Sequence, residues 1–213
     1  MKGCMVKMSI TKGCDLSKWN KPCDINYKKY NFAIIRAGYG KNNIDPMFET
    51  HVKNCIKNNI PFGVYWFSYA LNAEMAKREA EYCILYLERL GLKPEYPIYF
   101  DWESDSERYL KKCTGKKINN IMYAEICRAF CNRVEDMGYY AGIYCDKSHY
   151  VWADLLCARY TIWLADWSGK NKSFYGRTNE VHMLQLGSID GVDYNICKID
   201  FPKIIKNNKL NGW

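Results

Sequence analysis

Short apolar runs rich in β-formers recur along this chain, and the first of them are separated by helical patterns. The runs are Gly13 to Ser17, Phe32 to Gly38, Phe62 to Tyr69 and Pro97 to Glu103. Stretches such as Phe-Ala-Ile-Ile and Gly-Val-Tyr-Trp-Phe do not alternate apolar with polar residues, which is the pattern of strands covered on both faces, as in parallel sheets flanked by helices. Between them, Ala73 to Leu90 carries apolar residues at Ala76, Ala80, Cys83, Ile84, Leu87 and Leu90, and Gly91 follows as a helix stop. A second stripe, from about Ile118 to Met137, ends before Gly138 and leads directly into the strand Tyr140 to Cys145.

Three further strands follow at Tyr160 to Ala165, His182 to Leu186 and Gly191 to Asn195, with connections too short or too polar for long helices between the last of them. Eight strands alternating with helices, and a helical layer that thins toward the C-terminus, predict a closed barrel of parallel type. The alternative is an open doubly wound sheet. That fold would be expected to carry a glycine-rich phosphate turn after its first strand, which Gly13-Cys14-Asp15-Leu16-Ser17 is not.

The fourth strand ends in Tyr99-Phe100-Asp101-Trp102-Glu103. A two-residue period puts Asp101 and Glu103 on one face, with Cα atoms roughly 6.5 to 7 Å apart, and sends Trp102 to the other face to pack under the helices. Two carboxylates in one desolvated space cannot both ionise freely, so one keeps a proton near neutral pH and can act as a general acid. An isolated Asp-x-Glu more often caps a strand or pairs with lysine. Here, however, Asp15 and Asp193 also lie near the ends of strands, and in a parallel barrel those ends surround the active-site mouth. Arg36, Tyr65 and Tyr144 lie toward other strand ends, where an arginine can bind acyl or carboxylate oxygens and aromatic faces can stack on sugar rings. Trp167, just beyond Tyr160 to Ala165, is placed for a sugar platform. His51, His149 and His182 show no metal-ligand spacing and read as surface or packing residues, while Asp105, Glu107 and the basic run Lys111 to Lys117 read as a solvated loop.

Composition narrows the partners. The net charge of +8 favours an acidic surface such as nucleic acid, anionic lipid or bacterial wall. The lysines are dispersed rather than gathered into an arm or stripe, and the aromatics sit inside strand runs, so neither nucleic acid nor membrane is the expected partner. No stretch approaches the roughly 20 apolar residues of a membrane helix. The 11 cysteines are odd in number and lack CxxC pairs; Cys83, Cys127 and Cys131 fall on helices, so the expectation is buried thiols made in a reducing compartment. Met1 to Met8 lacks the apolar core of a secretory signal, so the chain is expected either to leave the cytoplasm as a lysin does or to be secreted with a leader absent from this sequence.

Taken together, these segments make the chain resemble glycoside hydrolase family 25, the Chalaropsis-type lysozymes, over nearly its whole length. The resemblance rests on Gly13-Cys14-Asp15-Leu16-Ser17-Lys18-Trp19, Ile34-Ile35-Arg36-Ala37-Gly38-Tyr39-Gly40, Gly63-Val64-Tyr65-Trp66-Phe67-Ser68-Tyr69-Ala70 and Asp101-Trp102-Glu103. It continues through Gly138-Tyr139-Tyr140-Ala141-Gly142-Ile143-Tyr144, Trp163-Leu164-Ala165-Asp166-Trp167 and Gly191-Val192-Asp193-Tyr194-Asn195. It implies an α/β fold, an irregular (β/α) barrel of eight strands with fewer than eight helices; many phage-type members also carry a wall-binding module after the barrel, whereas the expectation here is one catalytic domain over residues 1–213 without a separate module. It also implies hydrolysis of the β-1,4 bond between N-acetylmuramic acid and N-acetylglucosamine by a monomer that needs neither metal nor cofactor. Glu103 would be the general acid, Asp101 would stabilise the reacting sugar or orient its acetamido group, and Asp15 and Asp193 would complete the acidic site. At Gln185 the family often has an aromatic on each side of the glutamine, where this chain has Leu184 and Leu186.

Two other readings use the same residues. Four converging acids could hold a divalent cation for a metal-dependent hydrolase, or a silent barrel could bind wall glycan without cutting it.

Overall fold

A computed structural model describes residues 10–168 and 181–213; the Met1 to Met8 segment lies outside them. The chain runs β1 (Thr11–Leu16), β2 (Phe32–Tyr39), β3 (Asn43–Ile44), α1 (Phe48–Lys57), β4 (Phe62–Phe67), α2 (Ala73–Arg89), β5 (Ile98–Asp101) and α3 (Ser104–Thr114). It continues through α4 (Asn120–Asp136), β6 (Ala141–Asp146), α5 (Lys147–Leu156), β7 (Thr161–Ala165), β8 (Met183–Ile189), β9 (Val192–Cys197) and α6 (Phe201–Asn207). Eight strands close in the order β1-β2-β4-β5-β6-β7-β8-β9, and β9 pairs back onto β1; the two-residue β3 hangs on the outer end of β2.

Parallel pairing holds from β1 through β8, as the doubly covered apolar runs predict. The closed barrel is mixed rather than purely parallel, because β9 runs antiparallel to both β8 and β1. A tight turn with Asp190 and Gly191 at positive φ makes β8 and β9 a hairpin, which needs no crossover helix. That is why the helical layer thins there.

The two-residue period sorts each strand into an outward and an inward set. Ala33 and Ile35 of β2, Val64 and Trp66 of β4, Ile98 and Phe100 of β5, and Ile143 and Cys145 of β6 join the large core beneath the helices. Trp102 joins them, fully buried. Helices α2 and α4 bring Cys83, Leu87, Cys127 and Phe130 to that core. Inside the barrel, Phe32, Ile34, Tyr99, Tyr144, Trp163, Met183 and Cys197 form a second cluster, closed at the bottom by Phe201 and Ile205 of α6. The interior aromatics occupy space that glycines leave open: a Cβ at Gly13 would lie 2.3 Å from the Phe32 ring, and one at Gly142 would lie 2.5 Å from Tyr99. The lower barrel is thus filled with side chains, and the cluster of acids lies at the opposite mouth.

The ten described cysteines are free thiols, and all but Cys23 and Cys113 are buried. Among the described residues, no helix is long and apolar enough to cross a membrane.

Candidate active site

Inward-facing residues at the carboxyl ends of the parallel strands build the mouth. Asp15 of β1, Arg36 of β2, Tyr65 of β4, Asp101 of β5, Tyr144 of β6 and Gln185 of β8 all line one cleft of about 540 Å³. Asp193 joins them from the start of β9 rather than its end, because the antiparallel direction carries its first residues to the same mouth, opposite Asp15 in the register. Glu103 lies two residues beyond Asp101, as the N-cap of α3.

The cleft does not stand alone. Glu103, Tyr144, Gln185 and Asp193 are shared with an adjoining recess of about 540 Å³, where Trp167, 58% exposed, also lies. On the other side, Tyr39, Tyr69 and Asp105 are shared with a recess of about 520 Å³. Three depressions therefore form one open groove with the acids in its middle. Every sequence-derived site residue lies in the central cleft except Trp167, which lies in the adjoining recess.

Asp15 is buried and its position is fixed by amides. Its Oδ2 accepts from Gln185 Nε2 at 2.9 Å and from Asn195 Nδ2 at 2.8 Å. Those amides are oriented in turn by donor-only groups: Trp163 Nε1 donates to Asn195 Oδ1 at 2.8 Å, and Trp167 Nε1 to Gln185 Oε1 at 2.9 Å. The Tyr144 hydroxyl also donates to Gln185 Oε1, at 3.0 Å. An indole N–H cannot accept, so each amide must turn its oxygen to the tryptophan and its NH₂ to Asp15. Burial and the neighbouring Asp193 nevertheless push Asp15 up to about 7, against the lowering effect of these bonds.

Asp101 is 3% exposed, and its Oδ1 has no hydrogen-bond partner among the described residues. Burial, then the charge of Glu103, raises it well above the usual carboxylate range, while Arg36 works in the opposite direction. Glu103 is half-buried and raised too, first by burial and then by Asp146; the Tyr144 hydroxyl and His149 oppose the rise. Asp193 is raised by burial. Four carboxyls within one mouth are all shifted toward keeping their protons to higher pH than a solvated carboxyl does. Glu103, itself raised, lies in both the central cleft and the recess that holds Trp167.

Arg36 lines the cleft with one edge of its guanidinium already engaged. Its Nε donates to the buried Asp45 at 2.6 Å, and its buried Nη2 has no hydrogen-bond partner among the described residues. The same carboxylate accepts from the backbone N–H groups of Lys18 and Met47, so Asp45 ties the β1 exit loop to Arg36. Tyr65 packs edge-on against Trp163, with centroids 6.1 Å apart.

Sequence reasoning missed several groups. Asp105 and Glu107 belong to helix α3 rather than to a solvated loop, and Asp105 lines the central cleft. The signal was present: Ser106, the third residue of the helix, accepts from the Glu103 N–H at 3.3 Å, and Gly115 stops the helix at φ +72°. His149 is no surface residue; it is buried between two carboxylates. His51 is a packing residue, as expected, held by the Tyr27 hydroxyl at 2.8 Å and the Ser17 carbonyl at 3.1 Å. Buried Glu79 accepts from Ser68 Oγ at 2.6 Å and Tyr69 N at 3.0 Å, fixing the loop that brings Tyr69 to the groove. Among the described residues, no three or more His, Cys, Asp or Glu side chains are grouped as a metal site requires.

No curated protein matches this sequence. Solved structures resemble it in fold. The modular autolysin LytC of Streptococcus pneumoniae superposes with a TM-score of 0.70 at 20% identity, over 88% of this chain and 46% of its own, so this chain spans about half of that protein. The catalytic domain of an endolysin from a bacteriophage of Listeria monocytogenes gives 0.67 at 24% identity, over 93% of this chain and 98% of its own. A lysozyme of Aspergillus fumigatus gives 0.67 at 17% identity, over 95% and 99%. Residues 14–191 match the sequence profile of the glycosyl hydrolases family 25, a span that holds every carboxylate of the mouth except Asp193, two residues beyond it; the chain belongs to that family.

Proposed function

We propose that this glycoside hydrolase is a lysozyme that cuts the β-1,4 bond between N-acetylmuramic acid and N-acetylglucosamine in bacterial peptidoglycan. The observation that carries the proposal is the position of Glu103, a carboxyl raised by burial and by Asp146, in the central cleft of an open groove with aromatic residues in each of its recesses. An open groove admits the interior of a polymer, whereas a closed pocket would suit a chain end or a single sugar. The pneumococcal autolysin of the same fold has been solved with a synthetic peptidoglycan ligand, which supports the substrate class.

In this reading Glu103 protonates the leaving oxygen, and the transition state acquires oxocarbenium character that the deeper carboxylates stabilise electrostatically. Asp101, two residues before Glu103 and with no partner at Oδ1 among the described residues, stabilises the reacting sugar or orients its acetamido group for attack on the anomeric carbon. Asp15 and Asp193 complete the acidic wall, while Tyr65, Tyr144, Gln185 and Trp167 position sugar rings. Wall glycan is therefore the site of action.

The test is reducing-end release from purified peptidoglycan by the wild type and by Glu103→Gln, with mass spectrometry to identify the terminal sugar. N-acetylmuramic acid ends that fall by about 10²-fold or more in the variant support the assignment. Equal release by both proteins rejects Glu103 as the acid, and binding without release rejects hydrolysis. A sugar trapped covalently on Asp101 would contradict attack by the acetamido group.

A further inference from the structure

Glu103 and Asp146 occupy matching places on neighbouring strands. Asp101 of β5 pairs with Tyr144 of β6, and two residues further on each strand comes the N-cap of the next helix, Glu103 for α3 and Asp146 for α5. One turn into α3 stands Glu107, whose N–H donates to the Glu103 carbonyl at 3.2 Å. One turn into α5 stands His149. Its ring closes the gap between the two helices: Nδ1 meets Asp146 Oδ1 at 2.8 Å, and Nε2 meets Glu107 Oε1 at 2.5 Å.

The ring is 2% exposed, stacked on Tyr123 of α4 at 5.6 Å and edge-on to Trp152 at 5.6 Å. A neutral imidazole has one donor and one acceptor, and a carboxylate only accepts, so two short contacts to two carboxylates require both nitrogens to be protonated. Packing alone does not explain the residue, because a phenyl ring would fill the same aromatic nest without a buried charge. The cation lies beside the Asp146 carboxylate, which is itself a neighbour of Glu103.

We propose that His149, held as an imidazolium between Asp146 and Glu107, is a positioning residue for Glu103: it ties the helix that Glu103 heads to the adjoining strand end and balances the Asp146 charge at the acid's side. The proposal rests on Glu103 being the acid of the reaction. The charged and titratable groups facing Glu103 are Asp101 from β5, Tyr144 and Asp146 from β6, Asp15 from β1, Asp193 from β9 and His149 from α5. Those facing His149 are Asp146, Glu107, the Ser148 hydroxyl and the ring of Tyr123. Removing the cation leaves Asp146 unbalanced, so Glu103 should hold its proton to higher pH; removing the Asp146 charge should act in the opposite sense.

The experiment is an NMR titration of the Glu103 carboxyl carbon, assigned by its absence in Glu103→Gln, together with pH–rate profiles on purified peptidoglycan. In His149→Gln the Glu103 titration and the basic limb of kcat move to higher pH, and kcat falls by about 10- to 100-fold while KM stays within about two-fold. In Asp146→Asn both move to lower pH. Glu107→Gln preserves the shape of the site, and there the His149 ring titration moves down. A purely structural role would lower the unfolding midpoint and leave the Glu103 titration in place in every variant, and that result overturns the proposal. An inactive wild type, or an active Glu103→Gln, would refute the underlying assignment of the acid, while the titrations would still decide whether His149 is coupled to Glu103.

Discussion

Gln185 is held in the cleft at both ends of its amide, with two donors on its oxygen and Asp15 on its nitrogen. Gln185→Leu keeps the volume approximately and removes all three bonds, leaving the Tyr144 hydroxyl and the Trp167 indole without this acceptor. We expect a loss of about 1–3 kcal/mol in urea unfolding, the cost of stranding buried polar groups, and a fall in reducing-end release. Asp15 also loses a bond that opposes its rise to about 7, so its titration should move higher still; unchanged stability and an unmoved Asp15 would show the network to be incidental. Residues of this kind were only partly legible in the sequence. The strand period alone placed Asp101 and Glu103 on one face and Trp102 on the other. Asp193 was expected at a strand end, yet it reaches the mouth from the start of an antiparallel strand. The partnership of His149 with Glu107 spans 42 positions and leaves no local trace. Arg36 and Asp45 are nine apart, and no periodicity links a strand residue to a loop residue.

At the scale of elements, the two strands that deliver Arg36 and Gln185 are both irregular. In β2 the pairing slips between Arg36 and Gly38, and in β8 between Gln185 and Gly187, so each site residue sits immediately before a bulge that turns the strand end. Gly38 is confined there: a Cβ would lie 2.3 Å from the Asn43 carbonyl and 2.5 Å from the Trp66 ring. Neither the backbone nor a buried indole that already donates to the Gly40 carbonyl can yield easily. Gly38→Ala should therefore cost about 1–3 kcal/mol, as overpacking does, and should displace Arg36 enough to lower turnover; a urea midpoint within error of the wild type would show that the bulge absorbs the methyl group. The strands themselves could be read because burial on both faces leaves a continuous apolar signature. Their direction could not, since a short apolar run reads the same in either sense, and only the short connection before β9 hinted that the last pair is a hairpin. Helices α3 and α5 escaped for a different reason: each is short, and α3 is polar over most of its surface, so its capping signals were outweighed by the adjacent charges.

Across the whole molecule, the groove acts against stability as pH rises. Asp15 and Glu79 are raised to about 7, and Asp101, Glu103 and Asp193 are also raised, all of them chiefly by burial. A carboxyl whose folded pKa lies above its unfolded value stabilises the fold fully below the unfolded value, about 4, and that contribution is lost as pH climbs through the folded value. His149, raised by its two carboxylates, contributes in the same direction. Asp146 and Asp166, held low by hydrogen bonds and neighbouring cations, act oppositely, but their contribution is already complete above the ordinary carboxylate range. The balance predicts a urea midpoint that falls between pH 5 and pH 8. Asp101→Asn isolates one share of that fall, because the amide keeps the size of the side chain and cannot ionise. At pH 4 the variant should unfold at nearly the wild-type midpoint, and at pH 8 at a higher one, while its release of reducing ends is lost at both. Parallel pH dependences for the two proteins would mean that ionisation of Asp101 costs the fold nothing; a shallower slope in the variant would show that the fold gives up stability to keep a buried acid beneath Glu103.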